Sequence, residues 1–221
     1  GELLVTLLLE QAAKNGARVV REKVTLEASG EEVRVRLGEE VRAFDEVVLS
    51  SGAWVKELLE PLGYYVDVRP QKGQLIELTL ETSEDTSKWP VCMLHGEIDI
   101  LPFPDGKILV GATHENTQGF NLVPDEELLN GMYEEACASL PSLKNAKSSG
   151  VRVGTRAYTS DFLPFFGEVP NTTNAFVASG LGSSGLTSGV WIGECLARMA
   201  SGEEVGFSVE KYTPQNYVRK V

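Results

Sequence analysis

Gly180, Gly182 and Gly185 form a G-x-G-x-x-G spacing inside AFVASGLGSSGLTSGVWIGECLA (175–197). An apolar run precedes them and a helical pattern follows, the strand–turn–helix setting that such a spacing requires. Glycines there let the backbone turn tightly and admit a ligand close to the chain. The N–H groups that open the helix favour an electron-rich ligand group. A dinucleotide phosphate site is the first chemistry this suggests. Only 36 residues follow Gly185 in the chain of 221, however, too few for the rest of a doubly wound nucleotide domain.

A second group surrounds Asp105-Gly106. If these two residues form a two-residue hairpin loop, Pro104 faces Lys107, Asp99 faces Ala112 and Glu97 faces His114. Glu97, Asp99 and His114 then share one face at the far end of a ribbon. The same face nearer the turn carries Leu101, Phe103, Ile108 and Val110, which read as core. Polar groups in that place would line a pocket, and a solvated hairpin end with a Glu–His pair is the alternative. His95 on its own reads as an ordinary core or surface histidine.

Arg152 and Arg156 stand in VRVGTRAYTSDFLPFFG (151–167), with few other charges nearby. A guanidinium on an apolar stretch of an acidic chain needs an anion, and its fork suits a carboxylate. The partner is either the internal Asp161 or a ligand. Ser183 and Ser184 lack glycine at both −2 and +2, so neither forms a nucleophile elbow and a serine hydrolase is disfavoured.

The elements that must position these groups follow from periodicity. Glu2 to Asn15 reads as a helix with Leu3, Leu4, Leu7, Leu8 and Ala12 on one face, closed by Gly16. Strand signals cover Ala17–Val20, Val24–Glu27 and Glu32–Leu37, and Asp45–Ser50 reads as a buried parallel strand. A short helix from Val55 to Leu62 ends at Gly63. From Tyr64 the texture becomes β, with a strand over Gln74–Leu80 and the hairpin over Glu97–Thr113. Pro124 then opens a helix over about Asp125–Ser139. Val151 onward returns to the first texture. The fold class expected is α/β (α+β overall), with a module over 1–63 and 151–221 interrupted by a largely antiparallel one over 64–150.

Net charge is −12, with 20 Lys and Arg against 32 Asp and Glu and no basic block, so nucleic acid and anionic membranes are poor partners. No apolar run approaches the ~20 residues of a membrane span, and no secretory signal pattern is present. Cys92, Cys137 and Cys195 are far apart and odd in number, which fits reduced thiols in a cytoplasmic protein; with only two histidines no metal site is expected.

Five segments, in order, carry a resemblance: DEVVLSSGAW (45–54), RPQKGQLIEL (69–78), KILVGATHE (107–115), GTRAYTSDFLPFFG (154–167) and FVASGLGSSGLTSG (176–189). Over nearly its whole length the chain resembles the flavin-dependent D-amino acid oxidase superfamily, whose relatives of closest character are glycine oxidase, sarcosine oxidase and D-amino acid dehydrogenase. The resemblance implies an FAD domain interleaved with a substrate domain on a large mixed, mainly antiparallel sheet. It also implies oxidation of a small amino acid or related carboxylated amine by hydride transfer to flavin N5.

By the same resemblance Arg156 grips the substrate carboxylate and Asp99 and His114 are pocket side chains. Gly180, Leu181, Gly182, Ser183, Ser184, Gly185, Leu186 and Thr187 make the loop and helix start against the flavin ring. Val24 touches the adenine through its backbone, and Ser51 and Gly52 turn beside the nucleotide. Two departures stand out. The N-terminal G-x-G-x-x-G segment of the family is missing from these residues, so the chain reads as a C-terminal part unable to hold FAD tightly or act alone. Ser183 stands where glycine oxidase has an arginine, so simple glycine is not the expected substrate. Besides the small carboxylated amine substrate, the partner expected is a second copy in a homo-oligomer or a missing N-terminal half. A different class of reading is a non-catalytic subunit or module docking on a partner that supplies the nucleotide-binding half.

Overall fold

The chain opens with α1 (Glu2–Lys14), whose end is turned by Asn15 and by Gly16 in the left-handed region. An extended stretch follows and then a three-stranded antiparallel meander, β1 (Val24–Ser29), β2 (Glu32–Leu37) and β3 (Glu40–Arg42). Next come β4 (Val47–Leu49), a short 3₁₀ turn, α2 (Val55–Leu59) and β5 (Tyr64–Val66). The expected strand over Ala17–Val20 is absent. Val19 and Val20 are both exposed, with no neighbouring strand to bury them, so β-branching alone does not make a strand there. The computed structural model describes residues 1–94, 96 and 98–221; His95 and Glu97 lie outside the described residues.

The middle of the chain runs through β6 (Arg69–Thr79), β7 (Cys92–Met93), β8 (Asp99–Pro102), β9 (Lys107–Gly111), α3 (Glu126–Ser139) and β10 (Lys147–Tyr158). The strands form one sheet in the order β10-β6-β9-β8-β7. Alternation along β6 sends Ile76 and Leu78 to the face that also carries Ile100, Ile108 and Val110. Across it α3 buries Leu129, Met132, Ala136 and Cys137, one apolar stripe at helical spacing. Each fully buried aliphatic side chain in this core stabilises by about 1.5–3 kcal/mol. Asp125 caps α3 by accepting from the N–H groups of Glu127 and Leu128 at 3.1 Å each.

The chain then returns through β11 (Phe165–Glu168), β12 (Ala175–Ser179), α4 (Gly185–Ala200) and β13 (Val218–Lys220). β12 lies between β11, antiparallel, and β4, parallel. β13 pairs with β5. Asn174 joins this sheet to the meander by copying a strand peptide: its Oδ1 accepts from Val33 N at 2.8 Å and its Nδ2 donates to Val33 O at 3.0 Å.

The molecule is a mixed α/β fold with mainly antiparallel sheets, and it divides into two units. One holds residues 1–68 and 158–221, the other 69–157. The texture change at Tyr64 precedes this boundary because β5 is held by β13. The change at Val151 precedes it because β10 continues as one strand.

Candidate functional site

In the first unit β4 and β12 are parallel and in register, Val47 with Ala175 and Leu49 with Val177. The turns that follow them, Ser51-Gly52 and Gly180-Leu181-Gly182, therefore emerge side by side at the strands' carboxyl ends, where open parallel sheets bind ligands. Ser179 ties the two turns by donating from Oγ to Gly52 O at 2.8 Å. Gly52, Gly180 and Gly182 have φ of +57°, +76° and +53°. A Cβ on Gly180 would sit 2.8 Å from Thr159 Cγ2 and 3.0 Å from Leu163 O, so glycine is needed for the loop to seat.

The α4 start that follows is open. Ser184, at the N-cap, donates its hydroxyl to Leu181 O at 2.7 Å and caps no N–H. Leu181 is half-buried against the α4 core, whereas Ser183, Ser184, Leu186 and Thr187 are exposed. Ser51 Oγ is buried and has no hydrogen-bond partner among the described residues. A buried hydroxyl without a partner beside glycine turns and an open helix start is the donor set a dinucleotide with a polar ring edge would satisfy. Val24 sits in β1 opposite Leu37, and β1 is the outer strand of its three-stranded sheet. The expected G-x-G-x-x-G setting thus holds, as β12, a glycine turn and α4.

In the second unit Arg156 lies on β10 with its guanidinium over Gly73. A Cβ at residue 73 would be 2.7 Å from Arg156 Cζ, so glycine there makes the seat. Arg156 Nη1 donates to Thr113 O at 2.9 Å and, weakly, to Gln71 Oε1 at 3.5 Å. Both acceptors are neutral, and burial pushes the Arg156 pKa below its ordinary value. The internal partner suggested by sequence is otherwise engaged: Asp161 accepts from Thr159 Oγ1, Leu163 N and Tyr217 Oη. Arg152 pairs with Glu77 at the surface. Gly73, Ala112, Arg152, Thr155 and Arg156 line a cavity of about 320 Å³.

The hairpin expectation needs correction. Asp99 pairs with Gly111 rather than Ala112, and Leu101 with Leu109. The loop has three residues, because Phe103 N donates to Lys107 O at 2.8 Å and Asp105 and Gly106 are both left-handed. Two ties outside the hairpin hold this loop: Thr86 Oγ1 accepts from Gly106 N at 3.0 Å, and Leu80 N donates to Gly106 O at 2.8 Å. The one-residue shift exchanges faces along β8. Ile100 now shares the core face with Ile108 and Val110. Asp99 lies half-buried on the opposite face with Leu101, and Phe103 is exposed.

A bulge follows β9. Gly111 pairs with Leu75 but Glu115 pairs with Lys72, four steps against three, so one extra residue enters the ladder. The bulge carries Thr113 and His114 out of the earlier alternation. His114 is exposed, and its place is in this segment rather than opposite a residue of β8.

Gln71, Gly73 and Thr113, which carry no obvious motif, meet Arg156, and behind them on the other face of β6 lie Lys72, Gln74 and Glu115. Gln71, Lys72 and Gln74 are all buried. The available signal was a strand-length run, RPQKGQ, with polar residues on both faces, which an ordinary half-buried strand does not show. Among the described residues no cluster of His, Cys, Asp and Glu could hold a metal ion, and no helix is long and apolar enough to cross a membrane.

A family profile described as FAD dependent oxidoreductase matches residues 1–199. The chain is 37% identical over 218 residues to the uncharacterized oxidoreductase YurR of Bacillus subtilis (strain 168), covering 97% of this chain and 58% of that protein. It is 30% identical over 190 residues to a glycine oxidase of Pseudomonas putida, covering 86% and 51%. An iminodiacetate oxidase from Chelativorans sp. BNC1 superposes with a TM-score of 0.91 at 32% identity, covering 96% of this chain and 58% of that one. The chain thus spans little more than half the length of these relatives.

Proposed function

The chain belongs to the FAD-dependent oxidoreductase family, and from that premise we propose that it is part of an enzyme oxidising a small carboxylated amine. The family is FAD-dependent; FAD, when bound, supplies the two-electron acceptor for oxidising the carbon beside the amine to an imine. Ser51, Gly52 and the Gly180–Thr187 loop would hold it, with the β1 edge at Val24 toward the adenine. The buried Ser51 hydroxyl and the uncapped α4 start support that assignment. Similarity to proteins named glycine oxidase and iminodiacetate oxidase supports a substrate of the amino acid type.

The observation that carries the substrate class is Arg156. A guanidinium facing a cavity with only neutral acceptors retains donors for a carboxylate, and a charge-assisted pair there contributes about 1.5–3 kcal/mol. The chain's own part in catalysis is then positioning: the carboxylate is clamped so that the amine carbon is presented in a reactive pose. Asp99 and His114 would line the pocket for the rest of the substrate.

In the full-length protein, Arg156→Ala is expected to raise the apparent KM for carboxylated amines about tenfold to a hundredfold, followed as flavin bleaching across an amino acid panel. An unchanged KM would remove Arg156 from the substrate site.

A second reading has its own observation. No residue of α1 is buried, and Leu3, Leu4, Leu7 and Leu8, which share one face, are all exposed. Such a face suits a module that docks on a partner supplying the nucleotide-binding half.

A further inference from the structure

Residues 71–74, in the first half of β6, alternate between two tasks. Gln71 and Gly73 project to the Arg156 side, one as an acceptor and one as an absence of side chain. Lys72 and Gln74 project to the other side, where both are buried, at 2% and 0% exposure. There Lys72 Nζ donates to Val123 O at 2.6 Å and pairs with Glu115 Oε2 at 3.4 Å. Glu115 Oε1 accepts from Gln74 Nε2 at 2.6 Å and from Thr113 Oγ1 at 2.7 Å. Gln74 Oε1 accepts from Asp125 N at 2.8 Å, and Gln74 N donates to Thr113 Oγ1 at 3.0 Å. Thr113 is thus gripped through its hydroxyl from two sides, and its backbone carbonyl is the strong acceptor of Arg156.

The backbone keeps one tie at Thr113, whose N–H donates to Gln74 O at 3.1 Å, but the bulge after Gly111 interrupts the regular pairing there, so the side-chain bonds supply the rest of the hold. A buried ion pair is poor evidence of stability by itself, since desolvation offsets its attraction. What it does supply is direction: a charge centre whose bonds specify one arrangement of the segment it holds. Asn116 adds to the same end, accepting from Gln71 Nε2 at 2.6 Å so that the Gln71 carbonyl oxygen is the atom left toward Arg156.

We propose that the buried Lys72–Glu115 pair, with Gln74, is a positioning device for the anion seat. It fixes the Thr113 carbonyl, and through it the Arg156 guanidinium, over Gly73. Lys72 and Glu115 are positioning residues and touch no substrate. The proposal rests on the reading of Arg156 as the carboxylate-binding residue, and its test separates the two.

The probe is acetate, a bare carboxylate, titrated into the full-length protein by calorimetry, with thermal unfolding measured alongside. Arg156→Met is expected to abolish acetate binding. Glu115→Gln, which keeps the shape but removes the charge holding Lys72, is expected to weaken it about tenfold. In the Arg156→Met background Glu115→Gln should have no further effect on acetate, while any loss of thermal stability persists. If Glu115→Gln does not fold, Lys72→Met/Glu115→Gln, which leaves no uncompensated buried charge, takes its place with the same expected weakening.

Wild-type acetate affinity in a folded Glu115→Gln or double variant, with Arg156→Met still deficient, would overturn the positioning role alone. Acetate binding that survives Arg156→Met would overturn the underlying reading of Arg156.

Discussion

Arg156 is held by a backbone carbonyl and a side-chain amide, and its seat exists because residue 73 has no side chain. The contrast with Arg152, four residues earlier on the same strand, lies in surroundings rather than residue type. Arg152 is exposed and engaged by Glu77, whereas Arg156 is half-buried, and among the described residues its partners are neutral. A second residue-scale feature is Tyr217. Burial, and then its hydrogen bond to Asp161, push its hydroxyl up to about 12. Burial alone would raise Asp161 as well. The bonds from Leu163 N, Tyr217 and Thr159 outweigh that and hold its carboxyl below the usual range.

The signs give opposite pH limbs. The Tyr217 contribution is complete below the unfolded value near 10 and is lost as pH rises toward 12, by about 2–3 kcal/mol over that window. The Asp161 contribution is present above the ordinary carboxylate range and is lost as pH falls through its lowered value. Urea midpoints are therefore expected to fall between pH 10 and 12, and Tyr217→Phe to flatten that limb. An alkaline limb as steep in Tyr217→Phe as in the wild type would show that other groups produce it.

At the scale of elements, the β8–β9 hairpin shows a loop overriding its own local signal. Asp-Gly favours a two-residue turn, but Gly106 is tied to Thr86 and Leu80 from outside the hairpin, and three residues enter the loop. That extra residue puts Ile100 rather than Leu101 in the core and moves Asp99 to the other face. Gly106 has φ +70°, and a Cβ on it would run into the Leu80 carbonyl oxygen. Gly106→Ala is accordingly expected to destabilise the protein by about 2–4 kcal/mol, from an unfavourable backbone region plus a clash with main chain. Chemical denaturation measures this. A change below about 1 kcal/mol would mean the loop can shift away from Leu80 at little cost.

At the scale of the molecule, the parallel pair β4 and β12 brings two turns together that lie far apart in sequence, while α1 buries nothing. The exposed leucines of α1 lie close together on one short helix, and Val48 adds an exposed side chain on the outer strand β4. The 221-residue segment by itself is expected to bind a hydrophobic dye such as ANS, and Leu3→Glu with Leu7→Glu, at the two most exposed leucines of the face, to remove most of that signal. Unchanged dye binding in the double variant would assign the exposed apolar surface elsewhere. Tight one-to-one FAD binding by the segment would count against the docking reading.

Composition and local pattern were enough for the mixed α/β class, the glycine turn between a strand and α4, the helix after Pro124 and a parallel strand within Asp45–Ser50, although that strand, β4, buries only Val47 and Leu49 and leaves Val48 exposed at the sheet edge. Each depends on neighbours within a few residues, where periodicity and capping act. The hairpin register, the bulge after Gly111 and the engagement of Asp161 were not legible. They depend on ties from Thr86 to Gly106, from Lys72 to Glu115 and from Asp161 to Tyr217, which span 20 to 56 residues. Arg156 was visible in the sequence as a cation short of an anion. Only the tertiary structure decided what faces it, because Gln71 and the space at Gly73 come from β6 and Thr113 from the bulge after β9, brought to Arg156 by sheet pairing rather than by spacing along the chain.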